Sequence, residues 1–189
     1  MEEHIRQNII RILDKAIIAI KQKDIKILRE LSNQTIHDAT IYQDEYAITV
    51  AVLIYSLSKI NEREEHYSEF KGWRSYCIDC LISLEKIKQK LDSNDIKSFE
   101  ISLKQYISNL GKEDKKLKLH MQEVLRNARI NKASRLHEHG LSLGRTAEIL
   151  GITKFELMDY VGKTYISDIK ENITIDPIKR LDLARSILK

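Results

Sequence analysis

Apolar residues recur at helical spacing along most of the chain. One face of the first predicted helix, which runs to about residue 22, carries Ile5, Ile9, Leu13, Ala16, Ile17 and Ile20. Positions 47–60, AITVAVLIYSLSKI, are apolar nearly all round, which predicts a helix at the buried centre of a domain. One Pro and six Gly in 189 residues leave few turn signals for hairpins or sheets. The pattern therefore predicts an all-α protein.

Side chains that cap helices mark where further helices begin. Residues suited to an N-cap are Asp24, Asp44, Ser93 or Asp95, Asp114 and Ser142. Gly111 and Gly140 are placed to end the helices before them, and Asp176-Pro177 opens a last helix. A fourth helix is predicted from about residue 62 to 91, with a bend near Gly72. The polar cluster from His37 to Glu45 predicts a loop with capping residues, and a small-ligand or metal site between the second and third helices is the alternative.

Two segments of the chain resemble each other. Residues 12–28 align with residues 83–99 at an offset of 71, and each segment is a helix, a turn followed by aspartate, and a second helix. A duplicated αα-hairpin explains the match, and so does the general likeness of Lys- and Ile-rich amphipathic hairpins. In either case residues 1–112 predict a helical bundle or short αα-hairpin array, a domain suited to self-association, to a protein partner or to sensing a ligand.

Residues 142–164, SLGRTAEILGITKFELMDYVGKT, have the pattern of two helices joined by a tight turn. Ala147 is small enough for close helix packing, and Gly151, four residues later, accepts the positive φ of the turn. Thr153 and Glu156 form a capping box that starts the second helix. Other αα-hairpins share this pattern, so it does not by itself establish a helix-turn-helix.

The segment resembles the helix-turn-helix of small prokaryotic DNA-binding regulators, including short antitoxin-type proteins with a SLGxAAELxGIS-like core. The residues that carry the resemblance are Leu143, Gly144, Ala147, Glu148, Gly151, Ile152 and Leu157. It covers residues 140–164, and the long N-terminal part departs from those short proteins. The resemblance implies a trihelical DNA-binding module within residues 113–189.

Positive charge is concentrated beside this motif. Residues 115–145 contain eight Lys or Arg and two acidic residues, whereas residues 1–113 contain 17 basic and 18 acidic residues. Such a cationic segment suits a phosphate backbone. The predicted phosphate contacts are Arg126, Arg129, Lys132, Arg135 and Arg145, and the predicted base contacts are Thr153, Lys154 and Phe155. A solvated helix face explains the cations equally simply, and Phe155 and Met158 also suit a protein partner.

Other candidate chemistry is weak. Cys77 and Cys80 fall on the apolar stripe of their helix, so we expect buried thiols and not a metal or redox pair. His137 and His139 lie on different helix faces, which does not favour a metal site. We found no motif of a phosphate loop or hydrolase, and we expect a protein that is not an enzyme and has no cofactor and no bound metal.

The sequence as a whole predicts a cytoplasmic DNA-binding protein. No apolar run is long enough to span a membrane, and residues 1–11 lack the pattern of a signal peptide. We expect a transcriptional regulator that acts as a homodimer on double-stranded DNA, with a protein partner for the N-terminal bundle as a further possibility. The alternative is a protein-interaction adaptor, such as an antitoxin-like partner, that uses the same helices.

Overall fold

The computed structural model describes residues 1–42, 44–112 and 114–165, and all its regular elements in these ranges are helices. They are α1 (Glu3–Gln22), α2 (Ile25–Tyr42), α3 (Glu45–Glu62), α4 (Glu64–Tyr67), α5 (Trp73–Asp92), α6 (Ile96–Ser108), α7 (Lys115–Glu138), α8 (Leu143–Leu150) and α9 (Lys154–Tyr165). The predicted all-α class is therefore confirmed. The helix predicted to begin at Asp176-Pro177 lies outside the described residues.

Aspartates begin four of these helices, as the sequence predicts. Asp24, Asp44, Asp95 and Asp114 each accept a hydrogen bond from a backbone N–H two or three residues further on, at 2.8 to 3.0 Å. Each bond satisfies a donor that the first turn leaves without a partner, and such a cap contributes about 1 kcal/mol.

Two predicted boundaries are wrong. The predicted loop from His37 to Glu45 is helical as far as Tyr42, because Ile36 and Ala39 continue the buried face of α2. The predicted helix from about residue 62 to 91 is interrupted between α4 and α5. This interruption lets the Tyr67 and Trp73 rings stack in the interior, with their centroids 5.7 Å apart.

α3 is the central helix of the core, as its apolar sequence predicts. It packs against α1, α2, α4, α7 and α8, and its side chains from Ala47 to Ile60 are buried on nearly every face. α7 connects this core to the last two described helices, since it packs against α2 and α3 and also against α8 and α9. One hydrophobic core therefore extends from Ile5 to Leu157. The domain boundary at residue 112 stays a prediction.

The two similar segments have the same turn geometry. Lys23, after α1, and Asn94, after α5, occupy the left-handed region with φ of 56° and 57°. In both turns the next residue, Asp24 or Asp95, donates its N–H to the carbonyl five residues back, at 2.8 and 2.9 Å. α1 and α5 also pack against each other. The similarity at an offset of 71 therefore extends from sequence to backbone conformation.

The left-handed turn at Lys23 predicts a stabilising substitution. A left-handed conformation costs an L-residue about 1–2 kcal/mol, and glycine avoids that cost but loses more entropy on folding. We expect Lys23→Gly to raise the free energy of unfolding by about 0.5 kcal/mol in urea denaturation. Asn94→Gly should change it less, since asparagine tolerates this region.

The control for this substitution concerns the ion pair that Lys23 makes. Its Nζ lies 2.8 Å from Oε1 of Glu64 on the surface. Glu64→Gln removes the ion pair and leaves the turn unchanged. It therefore measures the stability that Lys23→Gly loses with the same ion pair. A Lys23→Gly protein less stable than the Glu64→Gln protein would contradict the expected relief of strain.

Candidate nucleic-acid interface

The connection between α8 and α9 has the local geometry that its sequence predicts. Gly151 ends α8 in the left-handed conformation, with φ of 61°. No atom lies within 4 Å of the position that a Cβ would take there, so the glycine is required for its φ and not for space. Ala147 is buried, and Ser142 caps α8 by accepting from the Arg145 N–H at 3.2 Å.

The predicted capping box of α9 is also confirmed. Glu156 Oε2 accepts from the backbone N–H and the hydroxyl of Thr153, both at 2.8 Å. The Glu156 N–H in turn donates to Thr153 Oγ1 at 3.1 Å. The backbone bond from Thr153, followed by the bond from Arg126, lowers the pKa of Glu156 to about 2. The Thr153 hydroxyl thus donates its proton to Glu156 within the cap. One lone pair of Oγ1 is left to accept a hydrogen bond from a ligand.

α9 is held on its inner face and open on its outer face. Leu157 is fully buried against the core, and the Tyr160 hydroxyl accepts from the Asn131 amide on α7 at 3.1 Å. On the outer face, Phe155 is 83% exposed and Met158 is 53% exposed. The start of α9 is therefore accessible to a partner.

Lys132 does not contact solvent, and its prediction as a phosphate contact is wrong. Its side chain is 1% exposed. Nζ donates to Asn33 Oδ1 on α2 at 2.8 Å and lies 4.2 Å from the ring centroid of Tyr55 on α3. Burial, and secondarily the charge of Arg135, lowers the pKa of Lys132 to about 8. The side chain holds α7 against α2 and α3 and cannot reach a duplex.

Three other predicted phosphate contacts are exposed and form ion pairs within the chain. Arg126 pairs with Glu156, Arg135 with Glu138 at 2.9 Å, and Arg145 with Glu45 at 2.9 Å and Glu148 at 3.1 Å. Surface pairs of this kind contribute about 0–1 kcal/mol. A phosphate can therefore replace a carboxylate as the partner of these guanidinium groups at small cost.

Arg129 and Lys154 form no ion pair among the described residues. Arg129 follows Arg126 by three positions on α7 and is half-buried. Lys154, at the start of α9, is exposed, and its aliphatic chain lies over Gly144 of α8, where an added Cβ would be 3.3 Å from Lys154 Cε. α7, α8 and α9 thus each bring an exposed or half-exposed cation to this region.

The contacts of carboxylates with the arginines of this region are what the sequence prediction missed. Glu45 is the first residue of α3, 100 positions before Arg145, and no spacing in the sequence indicates their contact. Glu156 was predicted as a cap, and its second contact, with Arg126, was not predicted. The interface is consequently less positive than the count of basic residues suggests.

The remaining candidate groups are cysteine and histidine side chains. Burial raises the pKa of Cys80 to about 12, as expected of a core thiol, while Cys77 is half-exposed. His137 Nδ1 bonds the Leu141 carbonyl at 2.8 Å and so fastens the end of α7. The described residues contain no group of three His, Cys, Asp or Glu side chains arranged to hold a metal.

Comparison of the chain with models of known families, with curated proteins and with solved structures gives no match in any of the three. Across the helices that the structure describes, none combines the length and the apolar character needed to cross a bilayer.

Proposed function

We propose that the chain is a DNA-binding regulator that places the start of α9 in the major groove of double-stranded DNA. The observation that carries the proposal is the position of α9, which is anchored through Leu157 and exposes its first turn beside cations of α7 and α8. A helix can enter the major groove, and its first residues are the usual base contacts.

Each exposed side chain has a role in this proposal. Lys154 reaches a guanine edge or a phosphate, Phe155 lies against a thymine methyl group, and Thr153 Oγ1, whose proton is donated to Glu156, accepts from a donor on a base. Arg126, Arg129, Arg135 and Arg145 contact phosphates on either side of the groove. Lys132 is excluded from this set because it is buried.

The protein acts as a homodimer in this proposal, and the helices before α7 provide self-association, sensing or a protein partner. Two copies of α9 then contact two half-sites about one helical turn of DNA apart. Analytical ultracentrifugation of the full chain, with and without duplex, tests the stoichiometry.

Arg129→Ala tests the phosphate contacts. We expect wild-type protein to bind random duplex in fluorescence anisotropy with an affinity that falls as salt rises, because phosphate neutralisation releases counterions. Arg129→Ala should lower affinity for all sequences alike and reduce the slope of log affinity against log salt by about 0.9. Arg74→Ala is the control, since Arg74 is exposed on α5. Binding of wild-type protein that does not change with salt would refute the proposal.

A second candidate function is that of an adaptor that binds another protein. The observation in its favour is that Phe155 and Met158 are exposed on one helix while three neighbouring arginines are already paired with carboxylates. An adaptor would show no salt-dependent retardation of DNA, and Phe155→Ser would abolish its complex with the partner. The salt series therefore separates the two functions.

A further inference from the structure

A pocket of about 250 Å³ lies between α3 and α7 and reaches α9. Polar side chains in its wall are Tyr55, Lys59, Arg63, Asn127, Asn131 and Tyr160. It is separate from the outer face of α9, because Tyr160 and Asn131 belong to the side by which α9 is attached to α7. Nothing in the proposed contact with DNA uses this pocket.

The wall of the pocket favours an anion. Lys59 and Arg63 bring two cations, and none of the lining residues that the structure describes is a carboxylate. Lys59 Nζ lies 2.7 Å from Oε2 of Glu62, outside the lining, whereas Arg63 makes no ion pair among the described residues. The amides of Asn127 and Asn131 add uncharged donors. Such an arrangement suits the oxygens of a carboxylate, which an arginine binds with two parallel hydrogen bonds.

A third cation lies close to the Tyr55 ring, which is part of the wall. Lys132 Nζ is 4.2 Å from the ring centroid of Tyr55, and Lys59 Nζ is 5.8 Å from the same centroid. Lys132 is buried with an uncharged oxygen of Asn33 as its hydrogen-bond partner. A buried cation without a counter-ion is unfavourable, and a negative charge in the adjoining pocket would offset it.

The rest of the lining is apolar and the pocket is small. Val124, Ala128 and Ile130 provide aliphatic surface beside the Tyr55 ring. The volume of about 250 Å³ lies just below the roughly 300–1,000 Å³ of pockets for drug-sized ligands. An inorganic ion would leave the apolar surface uncovered, whereas a small organic body would cover it.

We infer that this pocket binds a small organic carboxylate with an apolar body. Arg63 and the two asparagine amides hold the carboxylate, and Val124, Ile130 and the tyrosine rings cover the body. The Asn131 amide, which donates to the Tyr160 hydroxyl at 3.1 Å, connects the ligand to α9. The inference goes beyond DNA binding and holds whether or not the protein binds a duplex.

The test uses the full chain and three probes at constant ionic strength. Benzoate is the aromatic carboxylate, benzamide is its neutral counterpart, and inorganic phosphate is an anion without an apolar body. Amide NMR spectra are recorded through each titration. We expect benzoate to give saturable shifts at the side-chain amides of Asn127 and Asn131 and at the backbone of Tyr160, with a Kd of the order of 1 mM.

Two variants and a control decide whether the shifts report the proposed site. Arg63→Gln should weaken benzoate binding about tenfold or more, because it removes the charged partner of the carboxylate. Asn127→Asp should weaken it similarly by adding a negative charge to the wall, while Arg74→Gln, exposed on α5, should leave it unchanged. Both variants alter exposed side chains, and their spectra without ligand verify that they are folded.

Several outcomes would overturn the inference. Equal binding of benzamide and benzoate would rule out recognition of the charge. Phosphate that binds as tightly as benzoate would rule out recognition of an apolar ligand body. Shifts that are the same in Arg63→Gln and wild-type protein, or no saturable shift with benzoate, would exclude the site. Since none of these measurements uses DNA, failure here leaves the proposed function to be judged by its own salt series.

Discussion

Replacing Lys132 by methionine is expected to raise the free energy of unfolding by about 1–3 kcal/mol near pH 7. The fold keeps this lysine away from water with no counter-ion among the described residues, and burial lowers its pKa from 10.5 to about 8. A shift of this size corresponds to about 3 kcal/mol of unfavourable free energy in the charged form. Methionine has a similar length without the charge, so the variant avoids this cost. It also loses the cation–π contact with the Tyr55 ring, which offsets part of the gain in stability.

The pH dependence of stability tests the charge of Lys132 more directly than a measurement at a single pH. Below the folded pKa of about 8, both folded and unfolded Lys132 are protonated, and the folded state bears the full cost. Between about 8 and 10.5 the folded lysine loses its proton first, so the stability of the wild-type protein rises with pH. Across this interval the wild-type protein should therefore gain about 3 kcal/mol relative to Lys132→Met in urea denaturation, which cancels or reverses the advantage that the variant has at neutral pH.

The control for this prediction is Lys116→Met, which changes an exposed lysine of the same helix. It should alter stability by no more than about 0.5 kcal/mol at either end of the interval. Two results together would mean that Lys132 is solvated in the native state. Lys132→Met would be less stable than wild type at neutral pH, and the difference in free energy of unfolding between the two proteins would not vary with pH.

Replacing Leu157 by alanine is expected to lower the free energy of unfolding by about 2–5 kcal/mol. Leu157 is fully buried and is the side chain by which α9 joins the core. Its truncation removes apolar contacts and leaves a cavity between α9 and the helices beneath it. Urea denaturation followed by circular dichroism measures the loss. If the proposed function holds, the same variant should also lose affinity for DNA.

The neighbouring Met158 provides the matched control for this substitution. It lies on the same helix and is 53% exposed, so Met158→Ala should change stability by no more than about 0.5 kcal/mol. A Leu157→Ala protein as stable as the Met158→Ala protein would show that α9 is not anchored through Leu157.

The sequence predicted best those features that depend on a few adjacent residues. A capping aspartate satisfies donors within its own turn, and Gly151 needs only its own φ to change the chain direction. The capping box at Thr153 and Glu156 is of the same kind. Such features follow local rules that the rest of the fold does not alter, and all of them are present in the structure.

The prediction for Lys132 failed because a spacing of three residues does not stay on one helix face. Successive residues turn by about 100°, so each step of three drifts by about 60° and Lys132 lies about 120° around α7 from Arg126. It stands four residues from Ala128 and from Leu136, and both are buried. That spacing was visible in the sequence and indicates the inner face.

Contacts between distant parts of the chain were not predictable from pattern. Arg145 and Glu45 are 100 residues apart, and their pairing follows from the way α8 packs on α3. The pocket lined by Arg63, Asn131 and Tyr160 likewise needs three helices to be placed together. Periodicity gives the buried face of each helix, but it does not give which helices become neighbours.

The continuity of α7 has a mechanical consequence. Its 24 residues form a rod of about 36 Å, with His120 near one end, 5.7 Å between ring centroids from His66, and Asn131 toward the other end, in contact with α9. A stiff rod transmits a tilt imposed at one end to the other. If the docking of a partner on α9 tilts α7, a fluorophore attached near His66 would register it from the opposite end of this helix.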